Sequence, residues 1–227
     1  MPEPNTGGQL RTNITDMQVG DYIPCSYIAN LATNRRGYLV ELGVSSKQEI
    51  PIPANALVDG KFYFIKVDKG LLVSDRVVQT SISWNTLNSA QLVEGASSIG
   101  NAFNDTSYPP GIVGKIRSLG GGNSFATVDR KSSTTDTGNG AWPVDNEWDT
   151  YIVKKDYGTG AGRDDVWHHV QVLTTWTQET PSLNFGLSTK RIGRGRLDGK
   201  NTTTPLSNYV GIDYGFRPVF EYQEVTN

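Results

Sequence analysis

Cysteine occurs once, at Cys25, so an internal disulfide is ruled out and no thiolate cluster can hold a metal. Histidine is almost as scarce, with only His168 and His169. No apolar run is long enough to span a bilayer. Neither sign of charge dominates: 21 Lys and Arg face 23 Asp and Glu, for a net charge of −2. A chain without a basic excess lacks the usual means of gripping phosphate backbones. The expected partners therefore include neither nucleic acid nor the membrane interior. Met1-Pro2-Glu3-Pro4-Asn5 is polar and carries no signal-peptide pattern, which predicts a product made in the cytoplasm and not exported by the usual route.

What is present is glycine, serine, threonine and asparagine in quantity, with few helix-forming runs. That composition favours a loop-rich fold of short strands. The 227 residues suffice for one sizeable domain, or one domain and a small appendage. Residues 1–12 read as a flexible lead-in. Residues 13–75 read as a β-rich N-terminal segment that packs on the core or forms part of it, and 76–227 as the main domain. Within the β-rich segment, Phe62-Tyr63-Phe64-Ile65-Lys66-Val67 is the strongest strand, bracketed by the turn signals Asp59-Gly60 and Asp68-Lys69-Gly70. Leu71-Leu72-Val73 is expected to return as its hairpin partner. Tyr38-Leu39-Val40-Glu41-Leu42 and Ile116-Arg117-Ser118-Leu119 are further strands. Pro51 and Pro53 indicate an edge or a connector.

Two short helices are expected. Ser83 caps the first, with Leu87, Ala90 and Leu92 facing inward. The second spans Asp145 to Lys154, capped by Asp145 or Asn146, with Trp148, Tyr151 and Ile152 on one face. Residues 95–112 read as a loop, and 123–140 as a polar surface excursion. Short strands with two short helices define an α+β fold with mostly antiparallel pairing.

An ordered set of fragments adds to this reading. Asp145-Asn146-Glu147-Trp148-Asp149 is followed by Asp165-Val166-Trp167, by Trp176, by Arg191-Ile192-Gly193-Arg194-Gly195 and by Gly215-Phe216-Arg217-Pro218-Val219. In that order they resemble the C-type-lectin-like fold, in its formylglycine-generating-enzyme and phage tropism-determinant branch. Gly20–Cys25, Phe62–Val67 and Ser81–Asn88 look like stretches of structural proteins from phages of Gram-positive bacteria. The resemblance implies a virion component, most often a tail or appendage adhesin, located on the virion. Its implied partners are other virion subunits and a host cell-surface glycan or protein, and it implies a homo-oligomer. Trp148, Phe216 and Arg217 read as scaffold, with Arg217 reaching carbonyls or a carboxylate such as Glu147 or Asp149.

The enzymatic relatives of that fold use a cysteine pair or a histidine-rich iron site. One distant cysteine and two histidines do not supply either, so the chain is not expected to be an enzyme. A degenerate formylglycine-generating-type enzyme is the remote alternative. Adjacent histidines on a strand point to opposite faces and do not share a metal. No cofactor is expected, although Asp164-Asp165 or Asp136 can bind calcium weakly. Glu3-Pro4-Asn5 matches a sugar-and-calcium tripeptide of C-type lectins but stands in the wrong place, and reads as chance. Gly158–Arg163 reads as a glycine turn and not a phosphate loop, and the Asn-X-Ser/Thr strings at Asn13, Asn104 and Asn201 carry no meaning without export.

The candidate ligand-binding set is Trp167, His168, His169, Trp176, Arg191, Arg194, Arg196, Asn201 and Tyr209, with Asp198, Asn208 and Tyr214 alongside. Tryptophan and tyrosine stack on sugar faces, and arginine and asparagine bond hydroxyls, phosphates or carboxylates. The competing reading puts half of these tryptophans in the core and leaves the arginines as solubilising charge. The leading functional expectation is a phage adhesin that binds a host-surface molecule such as glycan. The alternative is a structural virion protein, a capsid decoration or fibre knob, that uses the fold for subunit contacts.

Overall fold

Alternation along the segment Gly60–Asp68 sets the architecture. Phe62 and Phe64 enter one core with Ile23, Cys25 and Tyr27. Tyr63, Ile65 and Val67 enter another with Tyr22, Leu71, Val73, Trp148 and Trp167. A strand buried on both faces carries a nearly unbroken apolar run, which accounts for its aromatic and β-branched texture. In the computed structural model, the residues described are 3–51, 58–95, 113–136, 138, 140–154, 164–168, 173–182, 185, 187–196 and 199–224.

The first strands are β1 (Tyr22–Ile28), β2 (Tyr38–Val40), β3 (Gly60–Asp68), β4 (Leu71–Ser74) and β5 (Gln79–Thr80). Helix α1 (Trp84–Ser89) follows, begun by Ser83, whose hydroxyl accepts from Thr86 N at 3.1 Å. Next come β6 (Gly114–Arg117), β7 (Ser124–Ala126), β8 (Ser132–Ser133) and β9 (Ala141–Trp142). A π-helical segment, Asp149–Val153, precedes α2 (Asp164–Trp167). The last strands are β10 (Thr174–Trp176), β11 (Gly193–Arg194), β12 (Thr202–Thr203), β13 (Tyr214–Phe216) and β14 (Val219–Tyr222).

Three sheets result, with orders β2-β1-β3-β4-β14-β6, β12-β11-β10-β13-β5 and β8-β7-β9. Every pair is antiparallel except β10 with β13. The fold is α+β, with few and short helices. On one face of the six-stranded sheet, Trp84, Leu87, Trp176, Tyr214 and Phe216 complete the first core. On the other face, Trp148, Ile152, Val166 and Trp167 complete the second. Segment 13–75 and the closing strand share one sheet, because β14 pairs with both β4 and β6.

Several expectations need correction. The lead-in is tied down: Asp21 accepts from Gln9 N at 2.8 Å and from Arg11 Nε at 2.7 Å, and Thr6 Oγ1 donates to Gly20 O at 2.6 Å. The strand expected over Tyr38–Leu42 stops at Val40, since Glu41 takes a φ of 57° and Gly43 one of 92°. Ser118 and Leu119 lie beyond β6. The excursion at 123–140 contains β7 and β8, closed by β9 and packed through a Phe125–Phe185 edge contact at 4.4 Å. The stretch beginning at Asp165 is helical as far as Trp167, and His168 then turns at a φ of 47°. His168 is therefore not on a strand. The 95–112 loop (beyond Gly95), Pro53 and Gly158–Arg163 lie outside the described residues.

Candidate functional site

The structure divides the expected ligand-binding set. Trp176 is 0% exposed and Trp167 1%. Trp176 donates from Nε1 to Ile82 O at 2.8 Å and packs 4.8 Å from the Tyr214 ring. Trp167 lies in the second core. Arg194 is also 0% exposed; it donates to Gly121 O at 2.7 Å and to Asp149 Oδ1 at 2.6 Å. His168 is buried, with Nε2 3.5 Å from Asp75 Oδ2. These four side chains are not surface contacts, because aromatic bulk and a fixed carboxylate draw them inside. His169 and Asp198 lie outside the described residues.

Trp148, Phe216 and Arg217 are buried. Trp148 donates from Nε1 to Gly199 O at 2.7 Å, and Phe216 belongs to the first core. Arg217 reaches carbonyls and not a carboxylate: Nη1 donates to Ser74 O and Nη2 to Trp167 O, each at 2.8 Å. Burial disfavours its charge, and the nearby charge of Asp75 offsets part of that cost. The carboxylates once assigned to it have other partners. Glu147 is gripped at 2.6 Å by both Nη1 and Nη2 of Arg117, and Asp149 pairs with Arg194.

Arg191, Arg196, Asn201 and Tyr209 keep surface. The chain between β10 and β13 carries all four, and its backbone bonds tie the Arg191 and Tyr209 segments together. Arg191 N donates to Pro205 O, Ser207 N to Thr189 O, and Asn85 N, on α1, to Ser207 O. Tyr209 N donates to Leu206 O, and Ser81 N to Gly211 O. These bonds make one continuous rim around the exposed end of α1.

Arg191 is the centre of that rim. Its guanidinium carbon sits 4.1 Å from the centroid of the Trp84 ring. Nη1 donates to the carbonyls of Ser188 and Lys190, while Nε meets no acceptor among the described residues. Burial pulls its pKa down, and no acidic group among the described residues pushes it back. Trp84 is itself fixed, donating from Nε1 to Thr177 O at 2.8 Å. Around the arginine, Leu187, Leu206, Tyr209 and Ile212 are exposed. Tyr209 donates to Asp213 Oδ1 at 3.0 Å and meets the Tyr214 ring edge-on at 5.2 Å. The charge of Arg196 reaches the Tyr209 hydroxyl. Such a rim offers a stacked cation, a fixed phenol and apolar contact area. The sequence reading missed Trp84 as the floor of the site and Leu187, Leu206 and Ile212 as its border. The β-turn texture of 204–213 was the available signal.

Among the described residues, no group of three or more His, Cys, Asp or Glu side chains is placed to hold a metal ion. Asp136 Oδ1 accepts from Gly138 N in a local turn. Cys25 is buried, with Sγ donating to Val40 O. Comparison with protein-family models, with curated proteins and with solved structures finds no match for this chain.

Proposed function

We propose that this chain is a non-enzymatic phage virion protein, a tail or appendage adhesin with a C-type-lectin-like domain, that binds a host-surface glycan through the Arg191 rim. The observation that carries the reading is the Arg191 guanidinium, stacked on Trp84 without an acidic partner among the described residues and bordered by exposed Tyr209 and leucines. A partly buried arginine held over an indole binds carboxylate or phosphate groups more strongly than a fully solvated one. A glycan bearing anionic groups fits that chemistry. The ordered fragments from Asp145 to Val219 support the fold and the virion context, and the α+β architecture agrees with them.

The test is binding of the purified protein to host cells, competed with isolated cell-wall glycan. Arg191→Ala and Tyr209→Ala are each expected to weaken binding about thirtyfold, the scale of an interfacial hot spot. Equal binding by wild type and both variants overturns the reading.

One observation favours a second reading. Leu187, Leu206 and Ile212 offer apolar surface without hydrogen-bonding groups, which suits a contact between subunits. A capsid decoration or fibre knob would bind virions depleted of this protein and ignore host cells. Scoring both targets in one assay separates the two.

A further inference from the structure

The three sheets meet at residues 119–123. Strand β6 of the six-stranded sheet runs into this turn, and β7 of the three-stranded sheet runs out of it. From the five-stranded sheet, Gln178 N, just past β10, donates to Leu119 O at 3.1 Å. Asn123 N donates to Trp142 O, on β9, at 2.8 Å. Gly120, Gly121 and Gly122 fill the turn, and two carboxylates hold its backbone. Gly120 N donates to Glu147 Oε2 at 2.8 Å, and Gly121 N to Glu179 Oε2 at 2.7 Å.

The two carboxylates face the same point. A Cβ on Gly120 would lie 3.0 Å from Glu179 Oε1 and 3.5 Å from Glu147 Oε2. Like charges brought together in a partly buried site repel. Their surroundings are unequal. Arg117 binds Glu147 at both oxygens and also meets Glu221 from its Nε at 2.6 Å. Arg194, whose Nη1 donates to Gly121 O, pairs with Asp149. Glu179 is half-buried, and among the described residues no basic side chain forms an ion pair with it. Burial comes first in raising its pKa. Bonds from Gly121 N, its own N–H and the Thr177 hydroxyl work against that rise, and the charge of Glu147 adds to it.

We propose that Glu179 is a proton-operated latch on this junction, closed in mild acid and opened as pH rises. With a proton on Oε1, the carboxyl is neutral, sits beside Glu147 without repulsion and keeps Gly121 N on Oε2. When the proton leaves to solvent, the two charges repel. The half-buried Glu179 side chain then swings outward and frees the Gly121 amide. The segment behind it carries the change to the floor of the Arg191 rim. Thr177 O accepts from Trp84 Nε1 at 2.8 Å, and Ile192 N, next to Arg191, donates to Glu179 O at 3.1 Å. Arg191 lies over that same Trp84 ring. The latch goes beyond the adhesin reading and does not depend on it.

The test is a pH titration of the isotopically labelled full chain, followed through the Gly121 amide, the Glu179 carboxyl carbon and the Trp84 indole N–H. The expected result is one common step in all three signals, with its midpoint above the ordinary glutamate value of about 4.3. Glu179→Gln, which imitates the protonated form, should hold Gly121 and Trp84 at their low-pH positions throughout. Glu147→Gln removes the facing charge and should move the Glu179 midpoint down by about one pH unit. Unchanged dispersion of the remaining amide signals establishes that both variants fold. A Glu179 midpoint at or below the ordinary value overturns the proposal. So does a Gly121 step that survives Glu179→Gln, or a Glu179 midpoint that Glu147→Gln leaves in place. A still Trp84 signal beside a titrating Gly121 overturns the link to the rim. No ligand enters the titration, so the latch and the adhesin reading fail or stand separately.

Discussion

Arg194 and Asp149 form an ion pair at 2.6 Å with both side chains closed off from solvent. The pair joins β11 to the π-helical segment. Asp149 also accepts from Asn146 Nδ2 at 2.7 Å, and Arg194 lies 5.7 Å from the centroid of the Trp148 ring. Removing one partner strands the other charge in the interior, which costs about 3–5 kcal/mol. Arg194→Ala is expected to lower the unfolding free energy measured by urea titration by that amount, while Arg191→Ala lowers it by less than about 1 kcal/mol. Equal effects in equilibrium unfolding would show that Arg194 is not a scaffold residue.

Gly215 lies where β13 crosses β5. A Cβ there would stand 2.3 Å from Gln79 O and 2.4 Å from a Val77 methyl. Backbone cannot yield that distance without separating the strands. Gly215→Ala is therefore expected to cost about 1–3 kcal/mol, the scale of overpacking a filled interior. Thermal unfolding measures it, and an unshifted midpoint refutes the close approach.

Acid should loosen the protein through three carboxylates. For Asp21, burial raises the pKa, but hydrogen bonds from Gln18 N, Gln9 N and Arg11 outweigh it and hold the group low. For Glu221, burial is likewise outweighed by Arg117 and Lys115. For Glu224, the bond from Lys66 comes first in lowering it. A depressed folded value means stability that is complete above the unfolded values, about 3.9 for Asp and 4.3 for Glu, and is lost as pH falls through the folded ones. Glu179 works oppositely. Burial raises its pKa, so its contribution is present below the unfolded value and fades as pH rises through the folded one. Midpoints measured from about pH 5 downward should fall, and Arg11→Ala should flatten part of that fall. A flat profile in the parent protein contradicts the assignment.

Ser83 caps α1 and thereby sets Trp84 under Arg191. Ser83→Ala is expected to cost about 0.5–2 kcal/mol and to weaken ligand binding at the rim with it. Chemical denaturation and the cell-binding assay read the two effects. Loss of stability without loss of binding would detach the cap from the site.

Local pattern made much of the fold legible. Phe62–Val67 announced a strand by composition and by its flanking turns, Ser83 announced a helix start, and Trp148, Tyr151 and Ile152 marked an inward face. Trp148, Phe216 and Arg217, expected as scaffold, are buried, and Arg217 takes carbonyls as partners. The site was less legible because exposure is a property of distant partners. Arg194 on a glycine turn resembles a surface residue until Asp149, from another part of the chain, closes on it. Trp167 and Trp176 differ from Trp84 in nothing that neighbouring residues encode. Likewise, nothing near residues 3–12 signals that Asp21 will gather their backbone. The two-residue strands β8 and β9 are too short for alternation to register.

The place of β14 between β4 and β6 has a consequence for how the protein is made. Its partners are drawn from far earlier segments, so the six-stranded sheet cannot close while Val219–Tyr222 is still inside the ribosome. Until then β4 and β6 each keep an open edge, ready to pair with any passing strand. Products that stop short of this segment should cluster or be destroyed. Thus the sheet itself separates chains that carry β14 from chains that lack it.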